Sequence, residues 1–418
     1  TNPPYMGGSG MNARLSDYVK KVYPDSKSDL FAVFIEHGNE MVKRAGFNCM
    51  VTMQSWMFLS SFEKMRVNAL QTKTITNLMH MENMVMGIAF GTAVTVFQNV
   101  AVHGYKGTYN QIKLQDIEND VPKQFPVSGN RFAQVSTDNF SKIPGSPVAY
   151  WASDTINKLF SLDAELKKYA EPRHGMSTGN NDLCLKLWHE VPNNEICFTA
   201  KNRDEFDKAG KKYAPYKKGG EYRLWYGNND YVIAYSATLR KRMESLSGYR
   251  ASSTEYFFRP SINWSDVTSG KFGVRLSPNG FAFDGRGASM FCNEDIRFYL
   301  AALMSSKLAS YFLDMLNPTL TFNIENIAAI PTIIDKEKKL DVDWKAEECY
   351  DCSKSDWDSF ETSWDFAEHP LVKWSHDLWD ATSIGATMAY YCHVESPEVS
   401  CPVELCYLLW QGECNDRF

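Results

Sequence analysis

The sequence predicts an α/β fold at its N-terminal end, then a mixed α+β region, then an acidic segment rich in aromatic residues. Three observations carry that expectation. Helical and strand-like apolar patterns alternate through the first hundred residues, the order in which an α/β sheet is built. Short strand-like runs, turns and helical stretches then intermix up to residue 335. Charge is also unevenly spread: residues 201–250 hold 12 Lys/Arg against 6 Asp/Glu, whereas residues 335–418 hold 7 against 19.

The totals set outer bounds. A chain of 418 residues that is 44% hydrophobic can bury more than one core. No run of about 18 apolar residues predicts a membrane-spanning helix, and no signal peptide is recognisable. Ten scattered cysteines, without the dense spacing of a secreted scaffold, predict reduced thiols and a cytoplasmic protein. A net charge of −6 excludes a uniformly basic nucleic-acid coat.

Taken in order, Met6–Met11 is glycine-rich but fits neither a dinucleotide turn nor a P-loop, and reads as a mobile loop. Ser28 is a plausible N-cap for a helix that has Asp29 in its first turn and Gly46 as its stop after Ala45. Phe47–Met53 reads as a buried strand and Ser60–Gln71 as a second helix. Gly87–Phe90 and Val94–Phe97 read as strand-like. Residues 104–145, broken by Gly and Pro, read as a linker between domains. Asp154–Tyr169 has a helical pattern, and His174–Asp182 is a polar loop. Phe298–Leu316 has apolar residues at helical spacing and reads as a core helix.

The phrase that carries chemistry is Asn2-Pro3-Pro4-Tyr5. Two prolines fix the backbone, so the Asn2 amide oxygen and the Pro3 carbonyl can be held as two aligned acceptors. Two acceptors suit a conjugated amino group. Accepting both of its N–H bonds frees a lone pair that is otherwise delocalised into the ring. Tyr5 adds a π face for an extruded base. A second candidate region is basic and aromatic: Lys211, Lys212, Lys217, Lys218, Arg223, Trp225 and Tyr226, with Gly219 and Gly220 between. Cations for phosphates and rings for stacking predict contact with a nucleic acid.

Asn-Pro-Pro-Tyr resembles the catalytic motif of S-adenosylmethionine-dependent amino-group methyltransferases, chiefly the N6-adenine DNA methyltransferases. Asp29-Leu30-Phe31, Gly46–Trp56 and the helix with Phe62, Glu63 and Arg66 are similar to the motifs that follow in that family. The helix, Asn317-Pro318-Thr319, Ile330-Pro331 ending is similar to its target-recognition domains. The phrase Asp356–Phe366 resembles a segment of the PglX-type methyltransferases of phage growth limitation and bacteriophage exclusion systems.

The resemblance implies the C-terminal half of a Rossmann-like methyltransferase sheet over residues 1–103, a recognition domain over 146–335 and an acidic segment over 336–418. It implies Asn2, Pro3, Pro4 and Tyr5 as catalytic, and Tyr5 with Phe90 as base-stacking. It implies Asn2 and Asp29 as contacts to S-adenosyl-L-methionine. It also implies double-stranded DNA and other defence-system proteins as partners, and no metal or membrane. The family's glycine-rich cofactor turn would lie upstream of Thr1, so the chain is expected to be a piece of a larger gene product. A DNA-recognition module without catalysis, and a protein glutamine methyltransferase, are the other functions the pattern allows. Trp357, Phe360, Trp364 and Phe366 read as docking on a neighbour rather than flanking a metal. Cys349 and Cys352, with Cys392, Cys401, Cys406 and Cys414, match no zinc spacing and read as free thiols.

Overall fold

Five strands form the sheet beneath the N-terminal motif: β1 (Phe47–Met53), β2 (Thr74–Met81), β3 (Thr92–Gln98), β4 (Lys106–Ile112) and β5 (Phe132–Ser136). They are seen in a computed structural model that describes residues 1–119, 121–268, 271–317, 321–370 and 372. The chain divides into two compact units, residues 1–163 with 314–318, and residues 164–313 with 319–418. The cysteines at 392, 401, 406 and 414 lie outside the described residues.

The spatial order is β1-β3-β2-β4-β5. β3 is antiparallel to both β1 and β2, so those two run in the same direction with a reversed strand between them. β2 pairs parallel with β4, and β4 antiparallel with β5. The expected linker over 104–145 therefore does not hold. Two of the five strands lie in it, because Tyr109 and Ile112 have sheet partners and a core to enter. Nor is Gly87–Phe90 a strand; it belongs to the connection between β2 and β3. β2 itself escapes pattern reading. It buries residues on both faces, including Thr74, Thr76 and His80, so it shows no polar–apolar alternation.

Three helices accompany the sheet: α1 (Ala13–Val22), α2 (Leu30–Met41) and α3 (Glu63–Thr72). The cap of α2 is Asp29 rather than Ser28: its carboxylate accepts from the Phe31 N–H. The helix stops at Met41, short of Gly46. Gly46 instead makes a tight corner into β1, where a Cβ would come within 2.7 Å of Val42 Cγ1. Phe31, Trp56, Phe62, Phe97, Tyr109 and Tyr150 lead the core of this unit. Each such side chain, once buried, contributes about 1.5–3 kcal/mol. Among the described residues, buried Arg66 forms no ion pair with a carboxylate, and Glu63 is its nearby charge. Its guanidinium donates to the carbonyls of Trp56, Leu59, Gly145 and Ser146 and so clips the chain after β5 to α3. Burial lowers its pKa to about 10. The helix expected over 154–169 is α4 (Asp154–Ser161), capped by Ser153.

The second unit holds two four-stranded sheets. One orders Leu185–Leu187, Tyr231–Ala234, Tyr213–Lys217 and Ala282–Phe283; the other orders Val274–Ser277, Ser261–Trp264, Ser289–Cys292 and Ala170–Arg173. The single helix expected over 298–316 is two, Arg297–Ser305 and Lys307–Leu316. Ser306 breaks it: its hydroxyl accepts from the Ala309 N–H and donates to the Leu303 carbonyl.

A 20-residue helix, Lys339–Asp358, leads into the Asp356–Phe366 phrase. That phrase docks on its own unit. Trp357 lies under Arg223, Trp364 packs on Phe198 and Phe281, and Trp188 Nε1 donates to the Thr362 carbonyl. No helix among the described residues is long and apolar enough to cross a membrane.

Candidate functional site

The first five residues are pinned to the outer edge of β1. The Thr1 amino group donates to the Cys49 carbonyl at 2.9 Å, and the Val51 N–H donates back to the Thr1 carbonyl at 2.8 Å. The two prolines then carry the chain off that edge toward α2. There the Met6 N–H donates to Asp29 Oδ1 at 3.0 Å, and the Leu30 N–H donates to the Met6 carbonyl at 3.0 Å. Met6–Met11 is thus tied down, with a short 3-10 turn at Gly8–Gly10, and is not the free loop its glycines suggest.

Between these anchors the side chains of Asn2 and Tyr5 meet. The Tyr5 hydroxyl donates to Asn2 Oδ1 at 2.6 Å and lies 3.3 Å from the Val51 carbonyl. A hydroxyl donor selects the oxygen end of the amide, so the contact orients exposed Asn2 as an acceptor. No described residue donates to the Pro3 carbonyl. Tyr5 is half-buried, and burial raises its pKa. Its ring meets Phe31 edge-on at 6.2 Å and Phe90 edge-on at 5.6 Å. Asn2, Pro3, Pro4, Tyr5 and Phe90 therefore stand together, and Asp29 supports them through Met6. The sequence placed Asp29 at the start of the helix, but not the one oxygen that both caps α2 and holds Met6.

The basic stretch is not brought together in this way. Lys217 is 2% exposed. Its ammonium donates to the Gly227 carbonyl at 3.2 Å and to Asn229 Oδ1, and lies 4.7 Å from the centre of the Phe281 ring. Burial pushes its pKa well down. Trp225 and Tyr226 are buried as well. The outer cations are mostly engaged. Lys211 donates to the Asn194 carbonyl at 2.5 Å, Lys212 pairs with Glu195 at 2.7 Å, and Arg223 reaches Asp356 at 3.4 Å. Lys218 lies over the Tyr231 ring at 4.7 Å. Lys217, Trp225 and Tyr226 are thus interior groups rather than surface contacts. Lys217 ends a strand whose last four residues are all buried, and Trp225 bridges to Arg275 beside the second sheet, so residue type alone misplaces both.

Among the described residues no group of three His, Cys, Asp or Glu could hold a metal. Asp356 and Asp358 pair instead with Arg223 and Lys354. Cys349 and Cys352 lie on the Lys339–Asp358 helix and form no disulfide.

Comparison with known proteins accords with this geometry. The family described as Eco57I restriction-modification methylase matches residues 1–85, which contain the clamp, α2 and β1. The adenine-specific methyltransferase BrxX of Escherichia coli O9:H4 (strain HS) is 35% identical over 405 residues, 94% of this chain and 32% of that protein. The adenine-specific methyltransferase PglX of Lacticaseibacillus casei (strain Zhang) is 34% identical over 437 aligned residues, 100% of this chain and 34% of that protein. This chain is a relative of the PglX and BrxX methyltransferases.

It spans about a third of the length of each. The PglX-type resemblance carried by Asn2–Tyr5 and Asp356–Phe366 is thereby borne out. In fold, the chain is similar to MmeI, a Type IIL restriction-modification enzyme solved in complex with DNA. The TM-score is 0.57 at 10% identity, over 100% of this chain and 55% of that one. A mixed α/β arrangement with several sheets is what the two have in common.

Proposed function

We propose that this PglX/BrxX relative carries the base-handling part of a DNA adenine N6-methyltransferase, together with a target-recognition part, and acts in anti-phage defence. The observation that carries the reading is the Asn2–Tyr5 clamp. Its oriented amide oxygen and unengaged Pro3 carbonyl stand beside a tyrosine ring, between anchors on β1 and Asp29. The names of its relatives support adenine as the target, and the DNA in the MmeI structure supports a duplex substrate. Reversed β3 between the co-directional β1 and β2 supports reading the first sheet as the C-terminal half of a Rossmann-like methyltransferase sheet. We assign target recognition to residues 146–335. Other defence-system proteins are the expected partners of the whole protein.

In this reading Asn2 Oδ1 and the Pro3 carbonyl accept the two N–H bonds of the adenine amino group. The nitrogen then becomes tetrahedral and its lone pair is free to attack a methyl carbon. The Tyr5 hydroxyl can turn to the Val51 carbonyl, leaving Asn2 Oδ1 to the base. Tyr5 offers its face to the flipped ring, offsetting a flipping cost of a few kcal/mol. A base held between two rings needs centroids about 7 Å apart, twice a ~3.5 Å contact. At 5.6 Å, Tyr5 and Phe90 leave no such slot, so Phe90 turns aside or meets the base at its edge.

S-adenosylmethionine would supply an electrophilic methyl and leave as a neutral thioether, and the methylated nitrogen, briefly cationic and acidic, would release its extra proton to water, so no strong base is needed. Asp29 would fit its cationic methionyl end as an acceptor, since Asp29 Oδ2 has no described hydrogen-bond donor, whereas Asn2 Oδ1 is given to the base. For DNA contact, Lys211, Lys212, Lys218 and Arg223 remain as the outer cations.

The test is methylation by the full-length protein. Asn2→Ala and Tyr5→Ala should each lose methylation by about a hundredfold or more while DNA affinity holds. Tyr5→Phe, which keeps the stacking ring, should lose only about tenfold. Unchanged adenine methylation in Asn2→Ala or Tyr5→Ala would sink the reading.

A further inference from the structure

A buried polar cluster in the first unit is not used by the clamp chemistry. Gln54 follows β1 directly, and its N–H donates to the Gly91 carbonyl at 3.0 Å. Its side-chain amide presses on Gly91 so closely that a Cβ there would lie 2.4 Å from Gln54 Cδ. His80, on β2, reaches the amide oxygen of Gln54 through Nε2. An amide oxygen only accepts, so Nε2 carries the ring proton and Nδ1 accepts from the Tyr150 hydroxyl at 3.2 Å. The imidazole is 5% exposed and lies against Phe58 and Trp151. Burial lowers its pKa to about 4, so the ring is neutral and its tautomer constant at neutral pH.

What this cluster holds follows from chain order. Gly91 is the residue after Phe90, whose ring meets Tyr5. Among the described residues, neither Ala89 nor Phe90 makes a backbone hydrogen bond. The nearest fixed point of the backbone beside the Phe90 ring is therefore Gly91, gripped by Gln54.

We propose that Gln54 and His80 are positioning residues for Phe90: they fix Gly91 and so set where the Phe90 ring meets a base lying over Tyr5. The inference rests on the base-handling reading above. It also gives a reason for glycine at 91, because Gln54 occupies the space a side chain would need.

The experiment uses the full-length protein and a duplex with 2-aminopurine at the adenine it methylates. Fluorescence reports unstacking of that base, and steady-state kinetics separate kcat from KM. Gly91→Ala and Gln54→Ala should each lower kcat about tenfold and change the 2-aminopurine signal as Phe90→Ala does, with the unfolding midpoint retained. The double variant should recover much of the loss, since the methyl of Ala at 91 takes space vacated by Gln54.

Wild-type kcat and fluorescence in the single variants would overturn the inference, as would simple additivity in the double. Should Gly91→Ala not fold, Gln54→Ala alone decides by the same two readouts. Methylation surviving in Tyr5→Ala would instead bring down the base-handling reading. Loss in Tyr5→Ala with wild-type Gln54→Ala would bring down this inference alone.

Discussion

Lys217 illustrates how far residue type can stand from residue role. A lysine in a basic, glycine-rich run invites a phosphate, yet its ammonium is enclosed by Gly227, Asn229 and the Phe281 ring. Reversing that charge would place an unpaired carboxylate in the interior. Lys217→Glu should therefore destabilise the fold by about 3–5 kcal/mol, seen as a fall in the urea midpoint. Lys218, on the outer side over Tyr231, should behave oppositely. Lys218→Glu keeps the midpoint, weakens DNA binding, and reduces the slope of log affinity against log salt by about 1. An unchanged salt slope would place the DNA face elsewhere. At the clamp, by contrast, the side chains stand as their order in the chain suggests. Asn2, Pro3 and Tyr5 are neighbours in sequence, and the Tyr5 hydroxyl reaches Asn2 Oδ1 between anchors on β1 and Asp29.

At the scale of elements, the decisive feature is the join between β2 and β4. The β2–β3 register slips between Ile75 and Asn77, and Gly107 of β4 lies against that slip. A Cβ at 107 would stand 2.3 Å from the Ile75 carbonyl oxygen, a backbone atom that cannot move aside cheaply. Gly107→Ala should destabilise the protein by about 2 kcal/mol or more, measured by denaturant unfolding. A neutral result would mean that the two strands do not approach so closely. In the sequence the same glycine reads as linker punctuation, because a close approach between strands distant in the chain leaves no local mark. The Lys339–Asp358 helix shows the complementary case. Its acidic, aromatic end suggested a partner, and the partner is the chain's own Arg223, Phe198 and Phe281.

At the scale of the whole molecule, stability should carry a signature of buried His80. Its folded pKa of about 4 lies below the roughly 6.5 of an unfolded histidine. The unfolded state therefore takes up the proton first as pH falls. Stability is full above about pH 6.5 and declines toward pH 4, by at most roughly 3 kcal/mol from this residue. His80→Phe should lose part of that acid dependence relative to the parent, read from thermal unfolding at pH 4.5 and pH 7. Parallel pH profiles for the two proteins would refute it.

Legible in the residue order were the Asn-Pro-Pro-Tyr motif, the limits of β1 at Phe47–Met53, and the kinship with PglX-type methyltransferases. These are features of contiguous residues: a motif, an apolar run, a phrase. Folding was needed to show that 106–112 and 132–136 join the sheet, that Lys217 faces inward and that Gln54 presses on Gly91. Each depends on pairing between residues far apart in the chain. Burial and strand registry are set by which surface the folded chain presents, and periodicity over a dozen residues does not encode that.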